Sequence, residues 1–185
     1  MNKTCATYKR QSALIEMNIE WLRQMLRLLP EMNDDVFATS PRNLAPLKVS
    51  SHLRHVIEFY ECFLDGLERA HIDYDARRRD ESIESSRAAA ARRISLVIER
   101  LESEPPLWND GFLFVKAEDA DSMKLQDPFL LSSVGRELGV LSSHTVHHFA
   151  LIAIALRAHG IEPGAEFGVA PSTLRFRESS RKEAA

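Results

Sequence analysis

The chain has 185 residues, long enough for one domain with a real core, and its 44% hydrophobic and 28% charged content is close to average usage, which excludes disorder over the whole length. A formal net charge of −3 excludes the basic footprint of a dedicated nucleic-acid binder. No run of about 18 apolar residues suggests a membrane span. The opening segment MNKTCATYKRQSALIEMNIEWLRQ has no apolar h-region, so no secretory signal is expected. Cys5 and Cys62 form neither a CxxC pair nor a disulfide framework, and a cytoplasmic chain with reduced thiols is expected.

Glycine is nearly absent from the first 110 residues, where Gly66 stands alone, so the first half reads as long helices. Leu14, Met17, Trp21, Met25 and Leu28 recur at helical spacing and predict helix one over about 6–29, stopped by Pro30. The segment NDDVFATSPRNLAPLK reads as a long connection. Helix two is expected from Ser50 or Ser51, either of which could cap it. Its stripe is His52/His55, Val56, Phe59, Cys62/Phe63 and Gly66/Leu67. HIDYDARRRD then breaks the pattern, and its arginine run Arg77–Arg79, followed directly by Asp80 and Glu81, reads as a solvated turn.

Helix three is expected after Asp80, with Glu81 and Glu84 in its first turn, a stripe of Ile83, Ala90, Ile94, Val97/Ile98 and Leu101, and an end at Glu104–Pro106. FLFVKA and FLL suggest a minor β-hairpin before helix four. Helix four is expected from Ser132 or Ser133 to His159–Gly160, with a stripe of Val134, Leu138, Leu141, His144/Thr145, His148, Leu151/Ile152 and Ala155. Residues 161–185 read as a tail whose last eight or so residues are disordered. Four helices, each apolar on one face, predict an all-α four-helix bundle over 1–160. The connection from helix one to helix two is long enough to cross it.

Five of the seven histidines lie in two clusters, SSHLRHVIEF and SSHTVHHFAL. On a helix His144 and His148, four apart, share a face with Cβ atoms about 6 Å apart, close enough for two imidazoles to meet one divalent ion. His144 and His147, three apart, could do the same. The His144/His148 pair is better centred on the apolar stripe, while His147 lies to one side. A third ligand must come from another helix, and His52 and His55 are the candidates. A His₃ site keeps a position open for water or substrate. A lone core histidine is usually a hydrogen-bonded structural residue; two clusters on the core stripes of two helices shift the balance toward a metal.

Other chemistries fail on particular residues. Thr145 stands where an HExxH protease needs its glutamate. Only Glu68–His71 fits the Glu-x-x-His pair of a di-iron bundle, and it lies at a helix end. Cys62 reads as a buried structural thiol. Glu58 and Glu137 share faces with the histidines and are candidate catalytic groups, though a rim or salt-bridge carboxylate is the plainer reading for each.

With HVIEF following Arg54 and HTVHHFALIA beginning at His144, most of residues 1–160 resembles the DinB/YfiT-like family of damage-inducible metal-binding proteins, and FGVAPSTL resembles the tail of one of its branches. The resemblance implies a four-helix bundle with a crossed connection and a divalent metal, nickel or zinc, on three histidines. Carried over, these are His55, His144 and His148, with His52 and His147 as alternates. Some members of the family are thiol transferases that use bacillithiol, mycothiol or glutathione, some are isomerases, and many have no known activity. The resemblance therefore implies a small-molecule substrate, with a low-molecular-weight thiol as partner, and a homodimer. A metal-dependent thiol transferase acting on small electrophiles is the leading expectation. A metal-dependent hydrolase and a non-catalytic stress-related protein with a structural metal are the alternatives.

Overall fold

A computed structural model describes residues 3–103, 110–117, 124 and 126–183. Helix α1 (Lys3–Leu28) ends where Pro30 enters a 3₁₀ turn at Leu29–Glu31. Its buried stripe is Ile15, Asn18, Ile19, Trp21, Leu22, Met25 and Leu28; the expected Trp21, Met25 and Leu28 lie on it, while Leu14 and Met17 are partly buried at its edge. The polar Asn18 sits at its centre, held by bonds from its amide to the Leu14 and Leu138 carbonyls at 2.8 and 3.0 Å.

The connection holds a short helix, α2 (Asp34–Ala38), which the sequence reading did not foresee. Asn33 caps it by accepting the Val36 N–H at 2.9 Å. Helix α3 (Val49–Gly66) begins one residue before the expected serines, and neither caps it; the Ser51 hydroxyl instead donates to the Lys48 carbonyl. The segment 67–86 is irregular. It contains strand β1 (His71–Ile72) and 3₁₀ turns at Leu67–Arg69, Tyr74–Ala76 and Glu81–Ser85. Asp80 does cap, but it caps that last turn by accepting the Ser82 N–H, and helix α4 (Arg87–Ser103) starts later than predicted. The expected stop at Glu104–Pro106 lies outside the described residues.

Strands β2 (Phe112–Lys116) and β3 (Phe129–Ser133) form the expected antiparallel hairpin, pairing Phe112 with Ser133 and Lys116 with Phe129. Strand β1 joins β2 in parallel, giving a three-stranded sheet in the order β1-β2-β3. The all-α expectation is corrected by this sheet: the fold is mostly helical with a small sheet at one side. Helix α5 (Val134–Ala158) is capped by Ser133, which accepts the Arg136 N–H, and ends at Gly160 in a left-handed conformation (φ +80°). By length and composition alone α5 could cross a membrane, yet it packs along α1 and α3.

The tail differs from expectation. Helix α6 (Pro171–Glu183) runs through residues expected to be disordered. It has no apolar stripe, so periodicity could not reveal it. Before it, Phe167 is buried and stacks on Phe149 at 4.7 Å, so the core continues past residue 160. Gly168 allows this: its φ is +70°, and a Cβ there would lie 2.5 Å from the Ala150 nitrogen.

The four long helices pack as a ring in the order α1, α4, α3, α5. Consecutive helices α1 and α3 thus face each other across the core, and residues 29–48 run between non-adjacent helices. Buried polar bonds fix the ring. The Tyr60 hydroxyl donates to Asn18 Oδ1 at 2.7 Å, joining α3 to α1, and the Trp21 indole donates to Ser142 Oγ at 2.9 Å, joining α1 to α5.

Candidate metal centre

Along α3 the buried stripe is Leu53, Val56, Ile57, Tyr60 and Phe63, and along α5 it is Leu138, Leu141, Thr145, Phe149 and Ile152. His52, His55, His144 and His148 lie on the flanks of these stripes, half-buried, where the two helices face each other. His55 Nε2 is 3.1 Å from His144 Nε2, and His144 Nε2 is 3.2 Å from His148 Nε2. One ligand nitrogen from each of the three rings lies within 4.8 Å of the others. Two imidazole nitrogens bound at about 2.0–2.1 Å to one tetrahedral ion stand roughly 3.3–3.4 Å apart. The two closest separations are near that edge length, so His144 with either neighbour matches the spacing of ligands on one divalent ion, and the third separation is within 4.8 Å.

His52 has a different place. Its Nδ1 is 3.0 Å from His148 Nδ1, the ring nitrogen that is not directed at His144 and His55. With His148 Nε2 kept free as a ligand, its proton sits on Nδ1 and is donated to His52 Nδ1. His52 is thus placed to fix the tautomer and orientation of a ligand. His147 is exposed, its ring edge-on to His148 at 5.1 Å.

The electrostatics keep the rings neutral. Burial first, then His144 and Arg77, lowers the His55 pKa to about 3. Burial, His147 and Arg77 lower His144 to about 4, and burial with His144 and His55 lowers His148 to about 3. Burial, then His147, also lowers His52. Neutral imidazole is the form that binds a metal.

Glu58 and Glu137 do not share this place. Glu58 is 2% exposed; its Oε1 accepts the Asp80 N–H at 2.6 Å, and Arg54 and Arg77 each approach to 3.9 Å. Burial raises its pKa despite these partners. Glu137 is 1% exposed and accepts from the Tyr74 and Ser132 hydroxyls at 3.1 and 2.5 Å and from Arg136 at 2.8 Å. Both carboxylates hold backbone or side chains in place. The Cys62 thiol donates to the Asp73 carbonyl, and burial pushes its pKa up to about 11, leaving a poor nucleophile.

Beside His55 and His144 opens a cavity of about 440 Å³, lined also by Phe59, Tyr74, Arg77, Arg79 and Lys116. Phe59 stacks on His144 at 4.0 Å and on Tyr74 at 4.9 Å, and the Arg77 guanidinium lies 5.3 Å from the Phe59 ring centre. Segment 67–86 supplies Tyr74, Arg77 and Arg79 and is firmly pinned. Tyr74 bonds Glu137, and Arg77 donates to the Tyr74 carbonyl at 3.0 Å. Arg93 grips Glu61 twice at 2.6 Å and Asp80 at 3.0 Å, and Lys116 pairs with Asp73 at 3.2 Å. Arg79 sits at φ +47°, a left-handed conformation that costs a non-glycine residue about 1–2 kcal/mol. Sequence reasoning took Arg77–Arg79 for a solvated turn; Arg78 and Arg79 are exposed as expected, but Arg77 is half-buried, and the wall that Tyr74, Arg77 and Arg79 form was missed. The available signal was a long irregular segment carrying tyrosine and arginines directly after a histidine-bearing helix.

No family model matches the chain, and no solved structure matches it. Among curated proteins, it is similar to FK506-binding protein 5 of Rhizopus delemar, 35% identical over 106 residues. That stretch covers 56% of this chain but only 27% of the fungal protein.

Proposed function

We propose that the protein binds a divalent metal, nickel or zinc, through His55, His144 and His148 in a four-helix bundle of the DinB/YfiT type, and that it is a metal-dependent thiol transferase acting on small electrophiles. The observation that carries this reading is the convergence of three neutral imidazole nitrogens, with neighbouring separations of 3.1 and 3.2 Å, at the wall of a cavity large enough for a small molecule. A divalent ion in that position lowers the pKa of a thiol or water beside it. In the transfer, the sulfur forms a bond to the electrophilic carbon. The leaving group departs with its bonding pair, and the thiol proton passes to solvent. The chain contributes the fixed ligands, His52 behind His148, and an aromatic wall of Phe59 and Tyr74 along which the electrophile lies. Glu58 and Glu137 stand behind Arg77 and Tyr74 rather than in the cavity lining, so neither is placed as a direct acid or base, which favours thiol chemistry over hydrolysis. A cytoplasmic homodimer belongs to the same reading, and sedimentation of the purified protein measures its assembly.

Elemental analysis of the purified chain beside a His144→Ala/His148→Ala variant tests the centre. About one ion per chain is expected in the first and little in the second; equal content removes the assignment. The metal-loaded protein is then incubated with glutathione, bacillithiol or mycothiol and an electrophile that fluoresces on S-alkylation. Product that depends on both thiol and intact histidines supports the transferase. Turnover of an ester with no thiol present favours the hydrolase, and inactivity in both assays favours a structural metal.

A further inference from the structure

The cavity beside the histidines is built unevenly. One side is aromatic, with Phe59 and Tyr74 stacked in near-parallel planes 10° apart. The other is cationic, with Arg77, Arg79 and Lys116, against one acidic lining residue, the exposed Asp75. Lys116 is paired with Asp73 at 3.2 Å and Arg77 meets Glu58 only through its Nε at 3.9 Å, so the cations the cavity offers a ligand are the exposed Arg79 and the guanidinium end of Arg77. Arg77 is held in place: it lies over Phe59, donates through Nη1 to the Tyr74 carbonyl, and keeps its Nε buried without a hydrogen-bond partner, 3.9 Å from Glu58. Its field reaches the centre, since it helps to keep His55 and His144 neutral. Arg79 reaches the same cavity from a left-handed backbone position, a conformation retained against its cost. An apolar slot with convergent cations suits a small molecule that is flat at one end and anionic at the other.

We propose that this cavity selects an anionic substrate, a small molecule with a carboxylate or phosphate held by Arg77 and Arg79 and a flat apolar body lying along Phe59 and Tyr74. The proposal deepens the reading above, because the orientation of the reactive part toward the open position rests on the His55–His144–His148 centre. The anion subsite itself is formed by other residues. Its failure and the failure of the metal centre can therefore be told apart.

The test uses the full chain loaded with zinc, its metal content verified, and calorimetric titration with two probes of nearly equal shape, 3-phenylpropionate and its neutral amide. The carboxylate is expected to bind about tenfold or more tightly than the amide. Arg77→Met/Arg79→Met should abolish that preference while keeping the metal content. Phenylphosphonate should behave as the carboxylate does. The exposed Arg79→Met variant alone, which removes no buried group, should reduce the preference at least in part and keeps the test open if the double variant fails to fold. No measurable binding of the carboxylate, equal binding of both probes, or a preference that survives the arginine substitutions overturns the proposal. A preference that survives them but vanishes in His144→Ala/His148→Ala assigns the anion to the ion itself, and also overturns it. Loss of metal from the wild-type chain with the arginine-dependent preference intact removes the metal reading and leaves the anion subsite standing.

Discussion

At the scale of single residues, His52 and His55 are one turn apart on the same helix flank, yet they have different neighbours. His55 presents Nε2 to His144, whereas His52 presents Nδ1 to the back of His148. His52→Ala should therefore weaken metal affinity by about 10–100-fold without removing the site, as read by competition with a chromophoric chelator. His147→Ala, at an exposed ring, should leave affinity unchanged. The lowered histidine pKa values also give a sign. Unfolded histidine titrates near 6.5, while His55, His148 and His144 are held at about 3 to 4 in the folded chain. The unfolded state therefore binds more protons between those limits. Stability of the ion-free protein is full above about pH 6.5 and falls as pH drops toward 4. Thermal melting of chelator-treated protein across that range should show the fall, and His144→Ala/His148→Ala should flatten it. The pairing of His144 with His148 was legible from a spacing of four. The choice of His55 over His52 was not, because a stripe assignment places both on one arc and says nothing about which ring nitrogen faces the partner helix.

At the scale of elements, the four long helices were legible because their apolar residues recur at helical spacing between clear stops such as Pro30 and Gly160. Their rotations were less so. The stripe of α1 is centred on Asn18, a polar residue that hides it from a hydrophobic count, and it is made acceptable by bonds to Leu14, Leu138 and Tyr60. Asn18→Ala should cost about 1–3 kcal/mol in urea denaturation, since the buried Tyr60 hydroxyl loses its acceptor and keeps only its bond with Thr145 Oγ1. Segment 67–86 was illegible because its order comes from distant partners, Glu58, Glu61, Glu137 and Arg93, rather than from any local period. Glu58→Gln keeps an acceptor for the Asp80 N–H but removes the buried counter-charge of Arg54 and Arg77, so it should destabilise the chain yet leave one ion per chain by elemental analysis. A loss of metal in a folded Glu58→Gln protein would place that residue in the centre after all.

At the scale of the whole molecule, the ring order α1, α4, α3, α5 brings together two helices that are distant in sequence, and the candidate centre lies on their shared face. His55 and His144 are 89 residues apart in the chain, so one cation would staple the molecule across nearly half its length. A ligand that binds only the folded form adds to stability in proportion to the logarithm of its free concentration, about 1.4 kcal/mol per tenfold once the site is saturated. Scarcity of that ion would thus shorten the life of the polypeptide as well as silence any chemistry, and a proteolysis assay run with graded chelator would trace the same curve as the metal titration.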